Sequence, residues 1–456
     1  MTSVDITDHL RRFLQSQPPA GRYVVAYSGG LDSHVLLHAL SRLGLALTAV
    51  HVHHGLSRNA DLWAEHCQAQ CAALGVPCRV VRVEVARDAG KGIEAAARSA
   101  RYAALEQALG EGDMLLVAHH QDDQAETLLL MLLRGAGVAG LAAMPGSRAC
   151  GRGRLARPLL GLPRSALHQY AERHGLSWVD DESNFDTSLD RNYLRHELLP
   201  LLRRRWPAAE RALARSAAHL AEAGELLAEL ATADLGMAGG RRPGTLSVNA
   251  LQRLTPPRRR NLLRHWLRGR GLPLPDTRHL LRIEQEVLPA RPDAEPRVCW
   301  PGAEVRRYRD DLYALPPLAP PPATELVWPL PAPLVLADGR TLTLQACSGP
   351  GLSTARCAGA RVTVRFRAGG ERCTPAGRGH THELRKLFQE AGVPSWERER
   401  VPLLFVDGVL AQVVGYWLCE PFAAAAGETA LCCDVDAVAD IASRGENNDN
   451  CPGPRA

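Results

Sequence analysis

Two periodicities alternate along the first third of the chain. Short apolar runs rich in valine are followed by longer stretches in which apolar positions recur at helical spacing. The short runs predict buried strands at Val24–Tyr27, Leu47–His53, Cys78–Val85 and Met114–His119. The longer stretches predict helices at Leu31–Arg42, Asp61–Leu74, Ile93–Leu109 and Asp122–Arg134. This alternation predicts an α/β fold with a doubly wound parallel sheet, in which ligands bind beyond the carboxyl ends of the strands.

The pattern changes in the rest of the chain. Residues 136–200 look irregular and then helical, and an alanine- and leucine-rich pattern from Trp206 to about Leu230 predicts a long helix. A smaller helical unit follows from Leu251, and then a proline-rich linker, Pro316–Pro333. Alternating short runs after it predict strands, with a short helix in HELRKLFQEAGVP that stops at Gly392.

These changes of pattern predict the organisation of the chain. We expect a catalytic domain over residues 1–204, a helical domain over 205–315, a linker over 316–334, a small α+β domain over 335–442 and a disordered tail over 443–456. The tail is polar and rich in asparagine, glycine and proline, which is typical of disorder.

Composition excludes several classes of protein. None of the 456 residues belongs to an apolar stretch near the roughly 20 residues of a transmembrane helix, and the amino terminus lacks the apolar core of a signal peptide. A cytoplasmic protein is therefore expected. The formal net charge of +5 neither demands nor excludes a nucleic-acid partner. The 12 cysteines form no C-x-x-C pair, which predicts reduced thiols and argues against a four-cysteine zinc site.

The motif SGGLDS, Ser28–Ser33, joins the first predicted strand to the first helix. Gly29 and Gly30 let backbone N–H groups approach an anion, the two serines add hydroxyl donors, and the helix beginning at Leu31 presents its positive dipole end. The Asp32 carboxylate beside a phosphate requires a metal ion or a polarised donor between them. The common phosphate loop has a lysine that this motif lacks. We therefore expect the loop to hold a leaving pyrophosphate while the α-phosphate is attacked; a plain Gly-Gly turn is the alternative.

A second motif, AHHQDDQAET, follows the fourth predicted strand. His119 and His120 close the strand, and Asp123 lies in the first turn of a helix, where acidic side chains are favoured. Glu126 follows three residues later, so both carboxylates share one helix face. They could bind Mg²⁺, hold a cationic substrate or accept a proton from an amine. Helix capping with a solvated face would explain the same pattern.

Two further helices and the C-terminal segment carry clustered basic residues. Glu94 and Arg98 lie at helical spacing, which an ordinary ion-pair face would also explain. Arg191 and Arg195 share a helix in RNYLRHELLP and could contact phosphates and base edges. The C-terminal cluster favours binding to an RNA backbone, although a solvated basic surface is the alternative. Its members are Arg365, Arg367, Arg372, Arg378, Arg385 and Lys386.

These motifs resemble those of two nested families. SGGLDS resembles the SGGxDS signature of the PP-loop, or N-type, ATP pyrophosphatases, whose catalytic domain is of the adenine nucleotide alpha hydrolase type. Within that superfamily, AHHQDDQAET, KGIEAAARSARY and RNYLRHELLP resemble the tRNA(Ile)-lysidine synthases, and so does the C-terminal stretch that begins FRAGGERC. One departure is Gly92, where that family usually has asparagine.

The resemblance implies a ligase. Such an enzyme uses ATP to adenylate the wobble cytidine in the CAU anticodon of tRNA(Ile), and free L-lysine then attacks C2 and displaces AMP. The tRNA would afterwards read AUA as isoleucine. The implied cofactors are ATP and Mg²⁺. The implied partners are tRNA(Ile) and lysine, without a membrane and with a homodimer as a compatible state. The helical and C-terminal domains would recognise the tRNA.

The resemblance also implies roles for individual residues. ATP would be bound by Ser28, Gly29, Gly30, Leu31, Asp32 and Ser33. Asp32, Arg98 and Asp123 would be catalytic, and Asp32 and Asp123 would hold the metal. The substrates would be bound by His119, Asp123, Glu126, Glu94, Arg191 and Arg195.

Three alternatives stay open at this point. A tRNA thiolase uses the same adenylate with a sulfur nucleophile, but it needs reactive or cluster-binding cysteines, and no C-x-x-C lies near the core. A non-catalytic RNA-binding protein with the same fold would not need intact SGGLDS and DDQAET motifs. A small-molecule amidoligase is disfavoured because no glutaminase-like pattern precedes the loop.

Overall fold

The computed structural model describes residues 5–85, 93–291, 293–320, 325–347, 350–425 and 427–436. The chain forms two compact units, Met1–Glu229 and Leu230–Ala456, and each is described by itself. The tail predicted over residues 443–456 lies outside the described ranges. Within those ranges, no helix has the length and apolar character needed to cross a membrane.

The first unit is built on a six-stranded sheet. Its strands are β1 (Tyr23–Ala26), β2 (Leu47–His53), β3 (Cys78–Arg82), β4 (Met114–Leu116), β5 (Ser147–Cys150) and β6 (Gly153–Ala156). Its helices are α1 (Ile6–Gln15), α2 (Leu31–Ser41), α3 (Ala60–Ala73), α4 (Ile93–Gln107), α5 (Gln121–Leu133), α6 (Val138–Leu141), α7 (Arg164–Arg173), α8 (Asp190–Tyr193) and α9 (Leu199–Arg205). A π-helical turn, Leu194–Leu198, joins α8 to α9 without a break.

The strand order is β3-β2-β1-β4-β6-β5, and all neighbours are parallel except β5, which is antiparallel to β6. The predicted α/β class is confirmed, and the four predicted strands and helices form at the expected places. The sequence did not reveal β5 and β6, because they fall in the segment that looked irregular. The sheet is therefore mixed, with one antiparallel strand at its edge.

Successive side chains of β1 enter two different hydrophobic cores. Val24 packs on one face of the sheet in a cluster with Val50 and Leu105. Val25 packs on the other face with Leu36. Both faces are covered, which explains why the parallel strands read as continuous apolar runs rather than as alternating ones.

The strand order reverses between β1 and β4. The chain passes from β1 through α2 to β2 on one side, whereas β4 lies on the other side. A crevice opens at the carboxyl ends of the strands where such a reversal occurs. SGGLDS follows β1 and AHHQDD follows β4, so the topology brings these two motifs together.

The second unit begins within the long helix predicted from Trp206, which is α10 (Ala209–Met237). Its next elements are β7 (Leu246–Ser247), α11 (Val248–Arg253), α12 (Pro256–Gly269), α13 (Thr277–Arg282), β8 (Arg297–Trp300), β9 (Ala303–Tyr308) and β10 (Asp311–Leu315). The predicted helices are present, with an antiparallel sheet in the order β7-β10-β9-β8 that the sequence did not reveal. Charged side chains inside β9, such as Glu304 and Arg307, obscured the strand pattern.

The C-terminal part contains the predicted strands and short helices. Its strands are β11 (Leu326–Val327), β12 (Leu334–Val335), β13 (Thr341–Cys347), β14 (Leu352–Ser353), β15 (Val362–Arg365), β16 (Arg372–Cys373), β17 (His382–Glu383), β18 (Leu403–Val406), β19 (Val409–Val413), β20 (Trp417–Leu418) and β21 (Ala430–Asp436). Its helices are α14 (Thr354–Cys357), α15 (Leu384–Glu390) and α16 (Ser395–Arg398). The predicted helix stop is confirmed, since Gly392 follows the end of α15 with a φ of 68°.

Two expectations about this part need correction. The predicted linker, residues 316–334, is packed against the domain from Leu326 onwards, because β11 pairs with β15 and Trp328 is buried. The cysteines are also not all reduced. A disulfide joins Cys347 of β13 to Cys432 of β21, with a Cα–Cα distance of 5.8 Å.

An aromatic cluster joins the middle and C-terminal parts of the second unit. Tyr308 of β9 and Tyr313 of β10 pack edge-on against Trp396 of α16, at ring-centroid distances of 6.3 and 5.3 Å. Beside them, Nη1 of Arg242 donates to Glu397 at 2.7 Å. We call these five residues the aromatic seam.

We expect Trp396→Ala to destabilise the second unit. The side chain is 5% exposed, and truncation of a buried tryptophan to alanine costs about 3–5 kcal/mol. The measurement is the free energy of unfolding in urea, followed by circular dichroism. Trp206→Ala is the control, since Trp206 is 59% exposed. Equal losses in the two variants would contradict the prediction.

Candidate active site

The SGGLDS turn is held open by its own serines. Gly29 has a φ of 84°, a backbone conformation that residues other than glycine rarely adopt. The Ser33 hydroxyl donates to the Gly30 carbonyl at 2.9 Å and accepts from the Ser28 N–H at 3.2 Å. Gly30 caps α2 without a side-chain hydrogen bond, so the first N–H groups of the helix, beginning at Leu31, remain available to an anion.

Asp32 projects from the first turn of α2 toward the start of α5. Its Oδ2 lies 3.5 Å from Nε2 of His120, and its Oδ1 lies 3.7 Å from Nε of Arg164. Oδ1 is buried and has no hydrogen-bond partner within the described part of the chain. A buried carboxylate oxygen without a partner is unusual, and it indicates that a ligand or cation completes this site.

His120 connects the two motifs. The side chain is 1% exposed, and its Nε2 is 3.5 Å from Oδ2 of Asp123 as well as from Asp32. Burial acts to lower the pKa of His120, but the carboxylates of Asp123 and Asp32 outweigh it, and the net pKa is raised. The imidazole ring thus lies between the two acids, and its Nδ1 accepts the backbone N–H of Asp123 at 3.4 Å.

Asp123 also caps α5, as the simpler interpretation of the motif predicted. Its Oδ2 accepts the N–H of His120 at 3.0 Å in a capping box. Burial acts to raise the pKa of Asp123, but the neighbouring His120, through its imidazole and its backbone N–H, outweighs burial, and the net pKa is lowered. Capping and a role in the site are therefore combined in one side chain.

Glu126 is the most deeply buried acid of the site, at 1% exposure. Arg195 contacts it through two nitrogens, at 2.7 and 3.0 Å, and Nε of Arg191 lies at 3.1 Å. Burial raises the pKa of Glu126, against the opposing effect of Arg195 and Arg191. The two permanently charged guanidiniums in contact favour the ionised form of this carboxylate.

Arg191 and Arg195, which were predicted to face nucleotide or RNA, are both engaged with groups of α5. Arg195 also reaches Oδ1 of Asp123 at 3.3 Å, and Arg191 donates to Thr127 at 2.9 Å. Both guanidiniums thus face the carboxylates in the conformation described, and an RNA contact would require them to be shared or released. Sequence reasoning missed this pairing, because nothing in a local motif reports a contact 69 residues away.

A second cluster lies beside His119. Nε of Arg157, which directly follows β6, donates to Nδ1 of His119 at 3.1 Å. The guanidinium carbon of Arg98 lies 5.1 Å from the centre of the Tyr102 ring. Arg157 was not among the predicted site residues, since the strand that positions it was missed. Glu94 lies in α4, but its side chain is outside the described part of the structure.

Part of the predicted C-terminal basic cluster is paired with acids in its own unit. Arg378 lies 3.3 Å from Glu390, and Arg367 lies 3.7 Å from Glu371. The net positive charge available to an RNA backbone is therefore smaller than the count of arginines indicates.

The described residues could hold a metal ion together with a bound ligand. Within the described ranges, no group of three or more histidine, cysteine or acidic side chains is arranged to bind a metal. Magnesium, however, is usually held by one or two carboxylates together with substrate phosphates and water. Asp32, whose Oδ1 accepts no hydrogen bond from the described residues, and Asp123 fit that kind of site.

Comparison with known proteins decides the family. Family models match residues 2–202 as a PP-loop domain, 246–313 as a TilS substrate binding domain and 362–435 as a TilS substrate C-terminal domain. A tRNA(Ile)-lysidine synthase of Coxiella burnetii is 45% identical over 91% of this chain and 94% of its own length. Those of Alkalilimnicola ehrlichii and Pseudomonas aeruginosa are each 47% identical, over 93% and 90% of this chain and 96% and 93% of their own lengths.

The chain belongs to the tRNA(Ile)-lysidine synthase family. The resemblance drawn from the sequence motifs is confirmed, and the relatives match nearly their whole length. Membership in this family also sets aside the thiolase and amidoligase alternatives. The roles of individual site residues stay predictions, since the comparisons concern whole domains.

We expect Gly29→Ala to weaken ATP binding by this lysidine synthase. A Cβ at position 29 would lie 2.9 Å from Sγ of Cys67, and the new alanine would have to keep a positive φ. The loop would have to shift, and a loss of about 1.4 kcal/mol corresponds to a tenfold weaker affinity. Calorimetric titration with ATP measures this. Gly44→Ala is the control, because Gly44 has a φ of 69° but no atom within 4 Å of its Cβ position. The prediction fails if both variants bind ATP like the wild type.

We expect Arg195→Met to destabilise the first unit by leaving buried carboxylates poorly compensated. Breaking a buried ion pair costs about 3–5 kcal/mol. Adding Glu126→Gln should recover part of this loss, because the uncompensated charge is then removed. A double-mutant cycle on the free energy of unfolding measures the coupling. Additive losses from the two changes would show that the pairing does not stabilise the fold.

Proposed function

We propose that this protein ligates free L-lysine to C2 of the wobble cytidine in the CAU anticodon of tRNA(Ile), using ATP and releasing AMP and pyrophosphate. The observation that carries the proposal is the junction at His120, where a PP-loop turn meets the carboxylates of α5 in one crevice. The nearly full-length similarity to tRNA(Ile)-lysidine synthases supports it.

The first half-reaction takes place at the SGGLDS turn. O2 of the cytidine attacks the α-phosphorus of ATP, and the bond to the β-phosphate breaks. The N–H groups at the start of α2 and the hydroxyls of Ser28 and Ser33 bind the leaving pyrophosphate. Asp32 and Asp123 would hold Mg²⁺, which neutralises phosphate charge when bound.

The second half-reaction requires lysine to be bound and deprotonated. Its ε-amine attacks C2, AMP leaves with the former O2 of the cytidine, and the amine loses a proton. We propose that Asp123 is the principal acceptor of the proton from the lysine amine. A single nitrogen of Arg195 reaches its Oδ1, at 3.3 Å. Glu126 is held by two guanidiniums and is less accessible to a new cation.

The remaining assignments follow from the family. We propose that the middle and C-terminal parts of the second unit recognise the tRNA, and that the protein works in the cytoplasm. Arg98 would contact the nucleotide or RNA. A homodimer is compatible with these assignments and is tested by sedimentation of the purified chain.

The deciding experiment combines the protein with Mg-ATP, radiolabelled lysine and a tRNA(Ile) transcript with a CAU anticodon. ATP-dependent label at the wobble cytidine would establish both substrate and product. Release of AMP without label would preserve the adenylating step and reopen the nucleophile, including sulfur donors. Absence of both would refute the proposal.

We expect Asp32→Asn to abolish pyrophosphate release while tRNA affinity stays unchanged. Loss of a charge that acts on the transition state costs about 10²–10³-fold in rate, whereas tRNA is bound mainly elsewhere. Rapid-quench measurement of pyrophosphate and filter binding of tRNA separate the two effects. Asp8→Asn, an exposed change in α1, is the control. Normal pyrophosphate release by the Asp32 variant would remove this residue from the mechanism.

A further inference from the structure

Arg157 is a buried cation whose hydrogen-bond partners within the described part of the chain are neutral. The residue is 5% exposed. Its Nε donates to Nδ1 of His119 at 3.1 Å, and its Nη1 donates to the carbonyl of Pro145 at 2.8 Å. Among the described residues, the groups that accept hydrogen bonds from its guanidinium include no carboxylate. Buried arginines are normally paired with an acid, so this arrangement calls for an explanation.

The hydrogen bond dictates which nitrogen of His119 carries the proton. A guanidinium has only donors and stays protonated in proteins. Nδ1 of His119 must therefore accept, which places the proton of the neutral ring on Nε2. A doubly protonated ring would turn an N–H toward the N–H of Arg157.

The surroundings of His119 favour the same neutral ring. The charged groups that face it are Asp123 on α5, Arg98 on α4, Arg191 on α8 and Arg157 itself. Burial and the three guanidiniums outweigh the carboxylate and lower the pKa of His119 to about 3.

The fold fixes this pair in the crevice. β4 and β6 are adjacent parallel strands with Leu116 opposite Ala156, and His119 and Arg157 follow their carboxyl ends. Among the described residues, the hydrogen bond of the His119 ring is made by Nδ1, and none is made by Nε2. With respect to those residues, one oriented N–H donor is therefore available at the edge of the sheet where the two motifs meet.

We propose that Arg157 is a positioning residue that holds His119 in its Nε2–H form, so that His119 donates a hydrogen bond to an electron-rich oxygen of the bound cytidine or adenylate. The inference rests on the proposed function and deepens it. His119 then contributes no base, and proton removal from lysine falls to the carboxylates of α5. If Arg157 were only structural, it would tie the Pro145 loop to β6 without affecting the chemistry of His119.

Two substitutions of His119 separate a donor from a base. The amide nitrogen of His119→Gln lies near the position of Nε2 and can donate, whereas the amide of His119→Asn reaches only the Nδ1 position. We expect the Gln variant to stay within about tenfold of the wild-type single-turnover rate and the Asn variant to lose about 10²-fold or more. Equal loss in both would overturn the donor role.

Arg157→Met tests whether Arg157 acts through His119. We expect kcat to fall by about 10–100-fold with little change in the KM for ATP, as for other groups that orient a reacting side chain. In the His119→Gln background the same change should have little further effect, because coupled groups are not additive. Full additivity would identify a structural role. Arg154→Met is the control and should leave the rate unchanged, because it removes an exposed guanidinium of β6 that donates to the Ser147 hydroxyl.

Nitrogen NMR of the wild-type protein tests the assignment without any activity. With ¹⁵N-labelled histidine at pH 7.5, the His119 signals, assigned by their loss in His119→Gln, should show a proton on Nε2 and none on Nδ1. A proton on Nδ1 would overturn the proposal even if the ligase reaction were confirmed. The expected tautomer with no lysine incorporation would instead place the failure in the proposed function. Arg157→Lys keeps the charge and serves where the Met variant does not fold.

Discussion

The buried carboxylate of Glu126 is the constraint on which the rest of the first-unit site depends. A charge at 1% exposure is tolerated only when counter-charges reach it. Arg191 and Arg195 supply them from α8 and the π-helical turn, so the chain from residue 190 to 205 is fixed against α5. Asp123, on the same face of α5, is thereby held beside His120 and within reach of Asp32.

The sequence revealed those parts of the fold in which local pattern and tertiary environment agree. β1, β2 and β4 are largely buried and read as mainly apolar runs. β5 and β6 are four residues each and include exposed arginines such as Arg148 and Arg154. In β9, Glu304 is buried because Arg306 pairs with it at 2.8 Å, and Arg307 is buried because backbone carbonyls accept its N–H groups. The partners that allow these charged side chains to be buried cannot be predicted from the sequence of the strand alone.

The candidate site likewise has parts that the sequence predicted and parts that it did not. The SGGLDS turn and the α5 carboxylates could be found because each is a local motif with its own chemistry. The partners that define their charge state could not, since Arg195 is 69 residues from Glu126 and Arg157 is 38 residues from His119. The sequence therefore indicates which atoms can react, and the fold determines which of them are neutral, paired or free.

The aromatic seam has a consequence for the exchange of parts between relatives. Tyr308 and Tyr313 come from the middle part of the chain, and Trp396 comes from the C-terminal part. A C-terminal part taken from another lysidine synthase would have to bring a side chain that fills the space between these two tyrosines, and an acid in place of Glu397 for Arg242. The two parts can thus vary in sequence, but at the seam they must vary together.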